Sequence, residues 1–287
     1  MRLSHIPDVI EASITSRSDE HLEWDKWHSW YLSEYQESQG HGRTTGFQDV
    51  EANPVNLETN YPYAYIDTMT ANICPTNPMM TVNARNPKVG KIAKARENLI
   101  NDEMHRDKMH AKAWDISTFS AICGRGVSKT VWNTKMHRPE CSIIDPKRFF
   151  FDMSVPFEKT RFAFEATLLT REEFAARMKK GHGADGGPKY DPEVAERISY
   201  GAMPQWLQDS NDSRSGPTNR SKEAFEWCTV YEFYDYQEGI YYHFIPGEKK
   251  PLLMGNLPFR YVANPFDMVA FNRTLRDHGG VSDIKLI

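Results

Sequence analysis

The sequence predicts an α+β fold, with helices gathered in the first half and strands in the second. Three observations predict it. Up to about residue 121, apolar side chains recur at three- and four-residue spacing, as on one face of a helix. From residue 127 onward they alternate, or run in short blocks bounded by glycine and proline. The two regimes meet at Cys123-Gly124-Arg125-Gly126, where a helical pattern enters a glycine turn and continues directly as Val127-Ser128-Lys129-Thr130-Val131-Trp132.

The elements follow in order. Residues 18–36 form a helical pattern in which Trp24, Trp27, Tyr31 and Tyr35 share one face. Such a stripe makes a core or a partner interface; a nucleobase platform would need several cations interleaved with the rings, and Lys26 is the one Lys or Arg in this pattern. A polar, glycine-bearing loop spans 40–54. A second helix is expected from Asn60 to Ile73, with Pro62 tolerated near its start and Tyr61, Tyr65 and Met69 on one side. Pro75 and Pro78 prevent its continuation. Met79 to Ala84 is expected as a short strand. Lys88 to Ala121 carries the longest helical pattern, its apolar stripe formed by Ile92, Ala95 and Leu99 and then Met109, Ala113 and Ile116.

Beyond the glycine turn, a turn at Met136-His137-Arg138-Pro139 leads to a short strand, Cys141 to Ile144. Arg161 to Leu169 alternates Phe162, Phe164, Ala166 and Leu168 against the residues between them, which is strand periodicity. Thr170-Arg171-Glu172-Glu173 is a capping box, starting a helix that runs to about Lys180 and ends in 181–188. Asp191-Pro192 caps a further short helix, stopped by Gly201. Residues 208–222 contain no apolar side chain, so a mobile surface loop is expected there. Phe225 to Tyr236 and Ile240 to Ile245 predict a hairpin through Gln237-Glu238-Gly239. Three short strands follow, at Leu252 to Met254, Phe259 to Val262 and Met268 to Phe271. The helix near 88–121 is expected to pack on a sheet containing both 127–133 and 225–245. Residues 281–287 carry a Ser/Asp start signal, so they form the first turn of a helix whose remainder is expected to lie beyond this sequence.

A chain of 287 residues buries a sizeable core as one large domain or two small ones. Against 39 acidic residues stand 35 Lys plus Arg, a net charge of -4 that argues against a DNA-coating protein. A weakly acidic wall would instead keep a passing polyanion from sticking. Cys74, Cys123, Cys141 and Cys228 form no CxxC pair, which fits buried free thiols in a reducing cytoplasm better than a zinc site. Neither a membrane-spanning apolar run nor a signal peptide is visible, so synthesis and retention in the cytosol are expected. Aromatic residues make up 12%, with 7 Trp and 13 Tyr; without a cofactor motif, that leans toward assembly.

Three places in the sequence invite a chemical reading. Gly124 to Thr130 has a superficial likeness to a phosphate loop. It lacks the glycine before the lysine, and a helix leads into a strand, the reverse of what anion binding at a helix N-terminus requires. A glycine cap accounts for it. His105 and His110 stand five apart, whereas a metal pair on a helix needs three or four. Glu172 and Glu173 belong to a helix start, where they favour the dipole. No catalytic, cofactor-binding or metal residue is assigned, and the chain is expected not to be an enzyme.

The order of pieces from Met104 to Asp152 resembles the portal proteins of tailed bacteriophages: a helix, a glycine turn, the strand to Trp132, then Asp145-Pro146-Lys147-Arg148-Phe149-Phe150-Phe151-Asp152. The likeness extends to Asn60 through Ala71, Pro75 to Asn83, Lys94 to Trp132, Leu169 to Phe174, Phe225 to Phe244, Leu257-Pro258-Phe259 and Gly280 to Ile284. No piece is diagnostic alone; order and spacing carry it. The resemblance implies a portal wing over 1–280 and the start of the stem helix at 281–287, with stem, clip and crown absent from this sequence. It implies a homo-oligomeric ring, twelve-fold, at the portal vertex of the virion after synthesis in the host cytoplasm. Its implied partners are the major capsid or scaffolding protein, the terminase motor, tail or adaptor proteins, and double-stranded DNA passing through the channel. The competing readings are a non-portal scaffold, which would bind through the aromatic helix, and a peripheral virion enzyme with an unrecognised site.

Overall fold

The computed structural model describes residues 3–32, 60–74, 76, 78–133, 136–180, 189–201, 226–257, 264–273 and 278–286. Expectations at 40–54, 181–188, 208–222 and Phe259 to Val262 lie outside them, as does Tyr35. The fold is α+β. Its helices are α1 (Ile6–Ser16), α2 (Ser18–Tyr31), α3 (Tyr61–Ile73), α4 (Gly90–Arg106), α5 (Met109–Cys123), α6 (Arg171–Lys180), α7 (Pro192–Ala195) and α8 (Asp283–Leu286). Its strands are β1 (Gly126–Asn133), β2 (Arg138–Ile144), β3 (Phe149–Phe151), β4 (Phe162–Thr170), β5 (Trp227–Asp235), β6 (Ile240–Phe244), β7 (Leu253–Asn256) and β8 (Phe266–Val269).

The strands make two antiparallel sheets, ordered β2-β1-β8 and β3-β4-β5-β6-β7. The expected single sheet joining 127–133 with 225–245 is therefore corrected: β1 lies in the small sheet, β5 and β6 in the large one. The two stack through a common core of Val127, Ile144, Phe266 and Met268 from the small sheet and Phe149, Phe151, Ala163 and Tyr234 from the large. The opposite face of the large sheet packs Phe150, Phe162, Phe164, Tyr231, Phe233 and Phe244 against Ile6 and Ile10 of α1. Both faces of β4 are thus covered, so Ala163 is as buried as Phe162 and the simple in–out alternation fails there. The reason is α1, which the sequence reading did not assign. Its signal was present in the helical spacing of Ile6, Val9, Ile10 and Ile14, with Pro7 in the first turn.

A third cluster joins Trp24, Trp27, Ile66, Ile122, Cys123 and Ile284 from α2, α3, α5 and α8. Two expectations about α3 and α4 need correction. In α3 the buried residues are Ile66 and Thr70, while Tyr61 and Tyr65 are exposed. The pattern at 88–121 is two helices, because Lys108 adopts a left-handed conformation (φ 54). The break turns the Asp107 carboxylate toward β2, where it accepts a hydrogen bond from the Cys141 N–H (3.0 Å) and pairs with Lys112. The early stripe of Ile92, Ala95 and Leu99 is exposed. Among the described residues, Met79 to Ala84 pairs with no strand. Met80 N–H donates to Asn101 (2.8 Å) and Val82 N–H to Glu97 (3.2 Å), so side chains of α4 satisfy the backbone a partner strand would have bonded.

Candidate functional site

The turn after α5 is the centre of the molecule's polar interior. Gly124 closes the helix in the left-handed region (φ 82), the conformation glycine adopts without penalty. A Cβ on Gly126 would stand 2.1 Å from the Ile116 carbonyl oxygen, so only glycine lets β1 begin this close to α5. Between them Arg125 points inward and is fully buried. Its guanidinium pairs with Glu20 and lies 5.0 Å from the centre of the Trp24 ring. The loop before α8 closes the other side: a Cβ on Gly279 would fall 2.6 Å from Arg125 Nη2.

α2 supplies this arrangement twice. Glu20 and Trp24, four residues apart, hold Arg125; Glu23 and Trp27, also four apart, hold Lys285. Lys285 lies 3.2 Å from Glu23 and 5.6 Å from the Trp27 ring centre. A third carboxylate, Asp25, pairs with Lys147 of the Asp145–Asp152 segment. From the start of α2, Arg17 donates to Glu20 (2.7 Å), to the Pro146 carbonyl (3.3 Å) and to the Phe149 carbonyl. α8 is tied to α5 by Ser282, whose hydroxyl donates to the Ala121 carbonyl (3.1 Å) and accepts from the Ile284 N–H (3.1 Å). Segments far apart in sequence therefore share one set of charges and rings.

Burial and opposing charge compete throughout this junction. Burial and the neighbouring Arg125 pull Arg17 down to about 10. Burial alone would raise Glu20, but Arg125 and Arg17 outweigh it and hold the carboxyl below its usual range. His21, buried beside Trp24 and Phe150, is pushed down to about 3 by burial first and by the Arg17 charge next. It stays neutral where an exposed histidine would be protonated.

A second buried set joins the sheets. Lys129 of β1 donates to Glu165 of β4 (2.8 Å) and Glu232 of β5 (2.7 Å), and Arg177 of α6 reaches Glu232 at 3.3 Å. Burial opposes the Lys129 charge, yet Glu232 and then Tyr234 and Glu165 raise its pKa well above the ordinary value. This is the lysine of the phosphate-loop look-alike, and it is committed to holding two sheets together.

The other sequence candidates are dispersed. His110 bonds the Cys74 carbonyl (3.0 Å) at the end of α3, while His105 is exposed on α4. The capping box forms as expected: Thr170 N–H donates to Glu173 (2.9 Å) and Glu173 N–H to the Thr170 hydroxyl (3.3 Å). All four cysteines are free thiols, and three are buried. Burial raises the Cys123 thiol strongly and lifts Cys228 to about 11, which suppresses the reactive thiolate. Among the described residues no three His, Cys, Asp or Glu converge as a metal site would require, and no helix is long and apolar enough to cross a membrane. What the sequence reading missed were the roles of Arg125, Arg17 and Lys129: Glu20 is three residues from Arg17, but the carbonyls of Pro146 and Phe149 and the partners of Arg125 and Lys129 lie tens of residues or more away. No protein-family model matches the chain, and no curated protein does.

Proposed function

We propose that this chain is a structural subunit of a portal-type ring at one vertex of a tailed-phage capsid, part of the virion. Its contribution is geometric: it holds a channel open, seats the terminase motor and later meets tail or adaptor proteins. The observation that carries the proposal is the convergence at Arg125. Segments 123–132, 145–152 and 280–284, each part of the portal resemblance, meet there against α2. Such a junction performs no bond chemistry; it fixes the direction in which the chain enters α8, where the stem helix starts in this reading. A net charge of -4 suits a wall past which DNA slides. Further copies of the chain, the major capsid or scaffolding protein and double-stranded DNA complete the set of partners. Light scattering of the intact protein at high concentration is expected to give the mass of a closed ring, twelve chains by resemblance. Monomer alone would count against the proposal. So would ATP hydrolysis or DNA cleavage that a point change in this chain abolishes.

A further inference from the structure

α4 is packed unlike the other long helices. Of its 17 residues only Ala93 is buried. Ile92, Leu99 and Ile100 are exposed at 54%, 62% and 36%, and the helical period gathers them into one sector. A helix of this length draws most of its stability from an apolar face set against something. Trp132, 60% exposed at the end of β1, extends the patch, and Leu99, Ile100, Met104, Met109 and Trp132 wall a cavity of about 380 Å³. The exposed apolar area is on the order of 500 Å², at the upper end of what a typical monomer leaves uncovered.

The same chain carries a second uncovered face of different chemistry. α3 exposes Tyr61 and Tyr65, four residues apart on one side, and contains no Lys or Arg; Tyr63 lies on the other side, its ring 5.2 Å from that of Tyr31. α4 is basic over its first half, where Lys91 and Arg96 make no ion pair among the described residues. Tyrosine faces attract cations and pack well on aliphatic side chains.

We propose that the outer face of α3 in one copy of this chain packs on the exposed face of α4 in the next. The rings of Tyr61 and Tyr65 cover Ile92 and Leu99, and Lys91 and Arg96 lie against those rings. The proposal rests on the ring reading, because a contact between two different patches repeats head to tail and closes only with a fixed rotation. The apolar area with a polar rim approaches the roughly 800 Å² that one partner contributes to a stable interface. A second copy is favoured over an unrelated protein because each copy offers both faces, one to give and one to receive.

The test is sedimentation velocity of the intact chain at concentrations where the unchanged protein assembles, with thermal unfolding as a check on folding. Two double variants are compared, Ile92→Glu with Leu99→Glu, and Tyr61→Lys with Tyr65→Lys. Each is expected to associate at least tenfold more weakly while unfolding at the unchanged temperature. Mixed one to one, they are expected to reassemble, since the carboxylates of one copy then face the ammonium groups of the other. Leu99→Ser replaces the glutamate pair if folding suffers. Assembly of either variant as well as the unchanged protein overturns the α3–α4 contact and leaves the ring reading standing. A monomeric unchanged protein overturns both.

Discussion

Arg125 has no exposed surface, so its charge is stabilised only by groups that the fold brings to it. Removing the guanidinium leaves Glu20 with Arg17 alone and leaves a void between Trp24 and the Gly279 backbone. Arg125→Met is expected to destabilise the fold by about 3 kcal/mol, measured by denaturant unfolding, because one partner of a buried ion pair is lost. An unchanged midpoint would show that the junction contributes nothing to stability. His21 gives a pH signature. With its native pKa depressed to about 3, the unfolded chain takes up a proton below about pH 6.5 that the native state refuses. Stability therefore falls as pH drops from about 6.5 toward 3, and is unaffected by this group above that window. Glu20, held below its usual range, acts in the same sense only at lower pH. His21→Gln is expected to flatten the pH dependence of the melting temperature between pH 6.5 and 5; an unaltered slope would exclude His21 as its source. The glycine cap at 124 was legible because its cause is local. The burial of Arg125 was not, since Glu20 stands 105 residues away.

Elements were read well where hydrogen bonding is local and less well where tertiary contacts decide. The capping box of α6 and the β5–β6 hairpin follow from neighbouring residues and appear as expected. The break between α4 and α5 contains neither proline nor glycine; Asp107 turns to satisfy β2, and nothing near it in sequence announces this. The cost falls on Lys108, held left-handed without the freedom of glycine. Lys108→Gly is expected to stabilise the protein by about 0.5–1 kcal/mol, seen as a raised melting temperature. A lowered one would mean that the lysine side chain contributes more than its backbone costs. Met79 to Ala84 shows the same limit, because a β-like run finds side-chain partners on α4 in place of a strand.

Over the whole molecule, two tryptophans separate folding from assembly. Trp24 lies in the core between Arg17 and Arg125, whereas Trp132 stands on the surface beside Leu99. Trp24→Ala is expected to cost about 3–5 kcal/mol of fold stability. Trp132→Ala is expected to leave fold stability within about 0.5 kcal/mol and to weaken association of the chains. Loss of folding in Trp132→Ala, with Trp24→Ala indistinguishable from the unchanged protein, would reverse these roles.

The α+β class was legible from periodicity alone, and the division into two stacked sheets was not. Lys129, Glu165 and Glu232, which join the sheets, are common surface residues until the fold pairs them. As proposed above, the chain works as a ring around a channel. Negative-stain electron microscopy of the full-length protein tests it most directly. Closed rings with a central hole, twelve-fold by resemblance, are the predicted result; compact particles without a hole at every concentration would contradict it.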